Sequence, residues 1–292
     1  MQRVEIMKSV GLVLEGGGMR GAYTAGILDV FMEHGIRFDY VIGVSSGANN
    51  GSNFITNQKG RSKELFLKWS QDKRFIGWSN LIRYGSYFGM EFIFNHLPND
   101  LLRFEYATFS DSETQFCTCV SNCDTGYADY FNKDEVSPVI YMNKVIRASC
   151  SLPVMSPSVK VGEYRYVDGF ITDPIPINKS IEEGNEFNVV VLTKIQTKIE
   201  KLSLYDRLLA RLTKLMYPNL VPAINQSLDV YNKSLQRIFD LENEGKVYVF
   251  RPNKDHLNNR YTKDRRQVEK VYNMGVEDAQ SNIMRLKKWM AD

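Results

Sequence analysis

Histidine, net charge and long apolar runs are all in short supply in this sequence, and each shortage removes a class of protein. With 37 basic against 34 acidic residues the formal charge is +3, too near balance for nucleic acid to be the expected main partner. No stretch approaches the ~18 uninterrupted apolar residues of a membrane span. The opening "MQRVEIMKSVGLVLEGG" has no apolar core ahead of a small-residue cleavage site, so no secretory signal is expected. These absences predict a cytoplasmic protein.

Cysteine is nearly as scarce. Three of the four, Cys117, Cys119 and Cys123, stand in "FCTCVSNCD", a spacing that does not fit the paired C-x-x-C of a zinc site. On an alternating strand they share one face, and reduced thiols packed in a core are the simplest account of them.

What is present can build a large core: 43% of the 292 residues are hydrophobic. No repeat, low-complexity tract or Gly/Pro/Ser-rich linker divides the chain, so one unit with a helical segment at about 199–243 is expected. Residues 9–16, "SVGLVLEG", read as a buried strand. "RGAYTAGILDVFMEHG" follows with Tyr23, Ile27, Leu28 and Phe31 at helical spacing and Gly35 as its stop. "DYVIGV" is a second strand, running into the small residues of "SSGANNGSNFI", a helix pressed close to its neighbours. Strand, helix, strand, helix in about fifty residues is the mark of a parallel α/β sheet. Further strands are expected in "TQFCTCVSNC", in "FNVVVLTK" at 187–194 and in "KVYVFRP". A hairpin turning at Gly162, a helix between Pro138 and Pro153, and a C-terminal helix over 263–290 complete the pattern.

Two glycine-rich stretches carry the chemistry. "GVSSG" places Ser45 between Gly43 and Gly47 at a strand-to-helix junction, the G-x-S-x-G elbow. Side chains at 43 and 47 would collide with the strand and helix, and the tight turn lifts the hydroxyl to a helix N-terminus, where negative charge is favoured. "LEGGGMRGAY" satisfies a dinucleotide pattern through Gly16, Gly18 and Gly21. That fingerprint also needs an acid at the end of the second strand. Here Asp39 precedes the strand, and its end holds the serine elbow. The amides of Gly16, Gly17 and Gly18 therefore read as an oxyanion hole facing Ser45 across the sheet edge, with Arg20 as added positive charge. A nucleotide- or phosphate-binding loop without catalysis is the rival reading, and a catalytically silent scaffold a third.

The serine needs a base. His34 belongs to a helix end, and His96 and His256 stand in polar or loop-like surroundings, so none of the three has catalytic spacing. Asp168, in "YRYVDGF", follows an apolar strand and precedes a glycine that lets the chain turn. A carboxylate with an ordinary pKa of ~3.9 is a weak base at neutral pH, and acts as one only in a tight hydrogen bond inside a partly dry site.

Taken in order, "LEGGGMRGAYTAGIL", "GVSSG" and "VDGF" resemble the patatin-like phospholipases, with "CTCVSNCDTGYADYF", "IRASCSLPVMSP" and "MGVEDAQSNI" extending the likeness. The resemblance implies a three-layer α/β/α fold with a mostly parallel sheet, as a single patatin-like domain over residues 9–290. It implies a lipid acyl hydrolase with Ser45 as nucleophile and Asp168 as base, and an oxyanion hole of Gly16, Gly17, Gly18 and Arg20. Neither metal nor organic cofactor is implied, and no D-x-D-x-D-G calcium loop occurs. Phe170 stands where the family commonly has glycine or alanine, which would narrow an acyl channel. Residues 198–218 set Leu204, Leu208, Leu212 and Leu215 in one stripe among Lys201, Arg207, Arg211 and Lys214. That pattern suits a helix lying on an anionic bilayer and equally one packed on its own core. For the aromatics of "FIGWSNLIRYGSYFGMEFIF", core packing is the simpler account and an acyl pocket the alternative.

Overall fold

Why the chain forms a sheet is visible in its apolar runs: β1 (Val10–Leu14) and β2 (Tyr40–Val44) are buried along their whole length, as strands covered on both faces must be. The structure, a computed structural model, describes residues 9–195, 204–255, 257 and 261–292. The other strands are β3 (Gln115–Asn122), β4 (Ala128–Asn132), β5 (Val159–Val161), β6 (Tyr164–Asp168), β7 (Phe187–Val191) and β8 (Val247–Phe250). They make one sheet in the order β5-β6-β3-β2-β1-β7-β8, with β4 paired to β3. β1, β2, β3, β7 and β8 run parallel, and β4, β5 and β6 supply the antiparallel part. Every strand named in advance is present, while β4 was not singled out because its residues are only half-buried.

Side-chain alternation sorts the sheet into two faces. Leu12 and Leu14 meet one apolar cluster and Val13 the other. On the first face lie α1 (Gly21–Glu33), α2 (Ser46–Ile55) and α3 (Arg61–Leu67), and on the second α4 (Ile177–Glu182). The C-terminal part adds α5 (Leu204–Met216), α6 (Val221–Asn243) and α7 (Arg265–Ala291). Helix α6 gives Tyr231, Leu235, Ile238 and Leu241 to the second face, and α7 gives Val268, Val271 and Ile283 to the first. The result is three layers, helix on sheet on helix.

Helices α1 and α7 cross with almost no side chain between them. A Cβ on Gly26 would lie 2.3 Å from the Tyr272 carbonyl oxygen, and one on Gly275 would lie 2.2 Å from that of Tyr23. The tyrosines on either side of the crossing reach over it, Tyr23 to Asp278 and Tyr272 to Asp29, each at 2.7 Å. The C-terminal helix is thereby fastened to the helix that follows the glycine loop.

The 74–105 stretch, irregular to a reading of periodicity, contains a short helix (Trp78–Tyr84) and a π-helical turn (Phe92–Leu101). Their apolar residues form a separate cluster around Phe75, Ile76, Phe92 and Leu97.

Candidate active site

One feature of the pairing decides the site. Cys117 and Cys119 of β3 pair with both β2 and β4, which therefore lie on opposite edges of β3. Val120 and Ser121 pair with both β4 and β6, so β6 lies on the same edge as β2. Strand β2 ends at Val44 opposite Cys119, and the antiparallel β6 ends at Asp168 opposite Val120. Two strands thus run at each other along one edge and stop one residue apart.

At that meeting point the Ser45 hydroxyl donates to Asp168 Oδ2 at 2.9 Å. The other carboxylate oxygen, Oδ1, accepts the Phe170 amide at 2.9 Å, which fixes the plane of the carboxyl group. Both residues are buried, Ser45 8% and Asp168 5% exposed. Ser45 has φ +54° and ψ −123°, a conformation rarely tolerated by a residue with a Cβ. The turn is held by its neighbours: the Ser45 amide donates to Ser149 Oγ at 2.8 Å, and Ser149 donates to the Cys119 carbonyl at 2.7 Å. Ser149 thus bridges the gap left where β2 stops pairing.

The glycines of the elbow are sterically required. A Cβ on Gly43 would lie 2.6 Å from the Ala48 nitrogen, and one on Gly47 would lie 2.4 Å from the Leu14 carbonyl oxygen. Helix α2 starts immediately after Ser45, so its unpaired N–H groups and dipole favour negative charge there.

The glycine loop lies alongside, and Gly17, Gly18, Ser45 and Asp168 line one cavity of about 120 Å³. Gly18 takes φ +57°, the left-handed region open to glycine. The Gly17 amide already donates to Ser46 Oγ at 3.1 Å, so Gly16 and Gly18 hold the loop's other main-chain donors. Arg20 is not brought to the serine: its Nη2 pairs with Asp255 Oδ2 at 2.9 Å and the side chain is not among those lining the cavity. Asp255, 235 residues away in the chain, carried no signal that could have foretold this.

Apart from Ser46, Asn49 and Tyr261, the rest of the cavity wall is apolar, with Phe66, Phe75, Phe88, Met90, Phe94 and Phe170 prominent. The aromatic segment therefore does two jobs, forming its own cluster and turning Phe75, Phe88 and Phe94 toward the serine; core packing alone does not describe it. Phe170 presses on the loop, since a Cβ on Gly16 would lie 3.2 Å from its ring.

Neither described histidine takes part. His34 is exposed at the end of α1, and the exposed His96 faces Asp100 at 3.5 Å; His256 lies outside the described residues. Cys117, Cys119 and Cys123 are buried, and Cys150 is half-buried against the cavity. Ser149 and the fully buried Glu15 were missed by sequence reasoning: serine is too common to stand out in "IRASCSLP", and an acid ending an apolar strand reads as a strand terminus.

Of the leucine-striped stretch 198–218, residues 198–203 lie outside the described residues, and Leu204–Met216 form α5. It packs through Ala210, and through Tyr217 just past its end, onto a cluster of Cys123, Val167, Leu220 and Ile224. Leu208 and Leu215 face outward, 54% and 75% exposed. Among the described residues no helix is long and apolar enough to cross a membrane.

Comparison with known proteins places these features. A family profile described as patatin-like phospholipase matches residues 12–179, and one described as a domain of unknown function (DUF6363) matches residues 217–291. The chain is 31% identical to the uncharacterized protein YjjU of Escherichia coli K12 over 195 residues, 63% of this chain and 52% of that protein. It is 26% identical to lysophospholipase NTE1 of Debaryomyces hansenii over 202 residues, 65% of this chain and 12% of that protein. The chain thus spans about half of the first relative and a small part of the second. The crystal structure of VipD from Legionella pneumophila superposes with a TM-score of 0.49 at 12% identity, over 94% of this chain and 66% of that one.

Proposed function

This chain belongs to the patatin-like phospholipase family, and from that premise we propose that it is a serine acyl hydrolase cleaving fatty-acyl esters of phospholipids or lysophospholipids. The observation that carries the reading is the 2.9 Å hydrogen bond from Ser45 to a carboxylate whose other oxygen is already held. Ser45 Oγ attacks the ester carbonyl while its proton passes to Asp168 Oδ2, without an imidazole between them. The developing oxyanion is met by the Gly16 and Gly18 amides and by the N-terminus of α2. Arg20 adds no contact there while it is paired with Asp255. The proton on Asp168 goes to the leaving alcohol, leaving an acyl-enzyme on Ser45. A water then attacks that ester with Asp168 again as base, restoring the free hydroxyl and releasing the fatty acid.

The apolar cavity wall supports an acyl chain as the group bound beside Ser45, and relatives named lysophospholipases support a single-chain lipid among its substrates. Residues 9–290 act as one unit in this reading. Of the helices matched by the second profile, α6 packs on the second sheet face and α7 grips α1, the helix that follows the glycine loop, which supports that reading. Helix α5 would bring the site to its substrate: exposed Arg207 and Arg211 flank the outward Leu208 and Leu215, a combination suited to the surface of an anionic bilayer. Flotation with phosphatidylglycerol vesicles should carry the Ser45→Ala protein, and Leu208→Asp with Leu215→Asp should release it. Concentration-dependent dimerisation without flotation would instead give that face to a second copy.

For the reaction itself, a fluorophosphonate probe should label Ser45, and Ser45→Ala should abolish both labelling and turnover of a short-chain aryl ester. Tight nucleotide binding by a protein that resists the probe would replace this reading with that of a phosphate-binding loop.

A further inference from the structure

Behind the glycine loop sits a carboxylate for which the reaction has no use. Glu15 is the residue after β1, and alternation points it to the same side as Val13, toward α6. It is fully buried, a position a carboxylate occupies only when its oxygens are satisfied. Oε1 accepts the Tyr231 hydroxyl at 3.0 Å, and Oε2 accepts the Thr193 amide. Burial raises the carboxyl pKa above its ordinary value, with the nearby Lys194 charge and these donors opposing part of the rise.

Thr193 carries the restraint onward. Its hydroxyl donates to the Gly16 carbonyl at 3.1 Å, and a Cβ on Gly17 would lie 2.5 Å from that same hydroxyl oxygen. An unbroken line of contacts therefore runs from Tyr231 of α6 through Glu15 and Thr193 to the loop that lines the cavity beside Ser45.

The geometry points to Glu15 as a positioning residue, which fixes the Gly16 to Gly18 loop through Thr193 and ties it through Tyr231 to the C-terminal segment matched by the domain of unknown function. The catalytic consequence rests on the hydrolase reading; the restraint on the loop does not. An isosteric amide distinguishes the hold from the charge. In Glu15→Gln the side-chain oxygen can keep the Thr193 amide while its NH2 donates to the Tyr231 hydroxyl oxygen. Glu15→Ala removes both contacts.

The test pairs hydrogen exchange with kinetics. In Glu15→Ala, amides of residues 16–19 should exchange at least about tenfold faster while those of α7 keep their protection. On a soluble aryl ester kcat should fall about tenfold or more with KM within about twofold, as misplaced oxyanion donors demand. Glu15→Gln should restore most of both. Tyr231→Phe should have a smaller effect that vanishes in the Glu15→Ala background. Should Glu15→Ala fail to fold, Thr193→Val, which keeps the volume and the amide but loses the bond to Gly16, should shift exchange and kcat the same way. Unchanged exchange at 16–19 in both variants overturns the proposal, as does faster exchange with wild-type kcat. If the wild-type protein turns over no ester at all, the hydrolase reading falls on its own, and exchange still decides whether Glu15 holds the loop.

Discussion

Replacing Asp168 by asparagine is the sharpest test of the chemistry, because the structure dictates which way the new amide must face. The carboxylate accepts the Phe170 amide on Oδ1 and the Ser45 hydroxyl on Oδ2, both at 2.9 Å. An asparagine has one oxygen to offer. A main-chain N–H cannot reverse its role and a hydroxyl can, so the oxygen stays with Phe170 and the NH2 turns to Ser45. The serine then accepts a hydrogen bond where it formerly donated one, and no group is left to take its proton. Loss of a general base costs about 10²–10⁴ in rate, and the reversed hydroxyl places the expectation at the upper end. A fall in kcat of about 10³–10⁴ corresponds to about 4–5.5 kcal/mol in the barrier. The side-chain volume is unchanged and each partner keeps a hydrogen bond, so the melting temperature should move by no more than about 2 °C. Turnover of a short-chain aryl ester, with thermal unfolding on the same samples, reads both. If Asp168→Asn retains more than about a tenth of wild-type kcat, or loses activity only as it loses the fold, Asp168 is not the base.

Three further outcomes are expected. The triple variant His34→Gln, His96→Gln, His256→Gln should keep kcat within about threefold, against the 10² or more lost with a true base; a larger loss in a folded protein would require an imidazole in the reaction. Gly47→Ala, which on an exposed helix would gain up to ~1 kcal/mol, should here cost about 2–3 kcal/mol in urea unfolding, since its Cβ would lie 2.4 Å from the Leu14 carbonyl; wild-type stability would show that the elbow has room. Asp173, whose carboxyl is pushed up to about 6 by burial despite the Tyr130 hydroxyl and the Ile175 amide, should make the protein lose stability as pH rises from about 4 to 6. There the unfolded chain is ionised and the folded one still holds its proton, a difference of up to about 3 kcal/mol. Asp173→Asn should lack that slope and be the more stable at pH 7, and equal slopes in urea titrations at pH 4 and pH 7 would remove Asp173 as its source.

The local chemistry of this site was legible because each step is short in the chain. Apolar runs bury strands, and Gly43 and Gly47 bracket Ser45 because only glycine fits between a strand and a helix that close. The three glycines before Arg20 announce a tight loop at the strand end, and the poor placing of three histidines points to an aspartate as the candidate base. What could not be read was where distant pieces meet. Asp168 reaches Ser45 because β6 takes over the edge of β3 at the residue where β2 leaves it, a register set by pairing across the sheet. Ser149 bridges that junction, Asp255 draws Arg20 away, and Tyr231 reaches Glu15 across 216 positions of chain. Such contacts depend on packing between elements, and no spacing within a segment encodes them. Residue types and their spacing tell which side chains have the chemistry to react and what shape their turns must take. The tertiary structure alone decided which of them share a proton and which merely hold the others still, because hydrogen bonds act over about 3 Å of space whatever the separation along the chain.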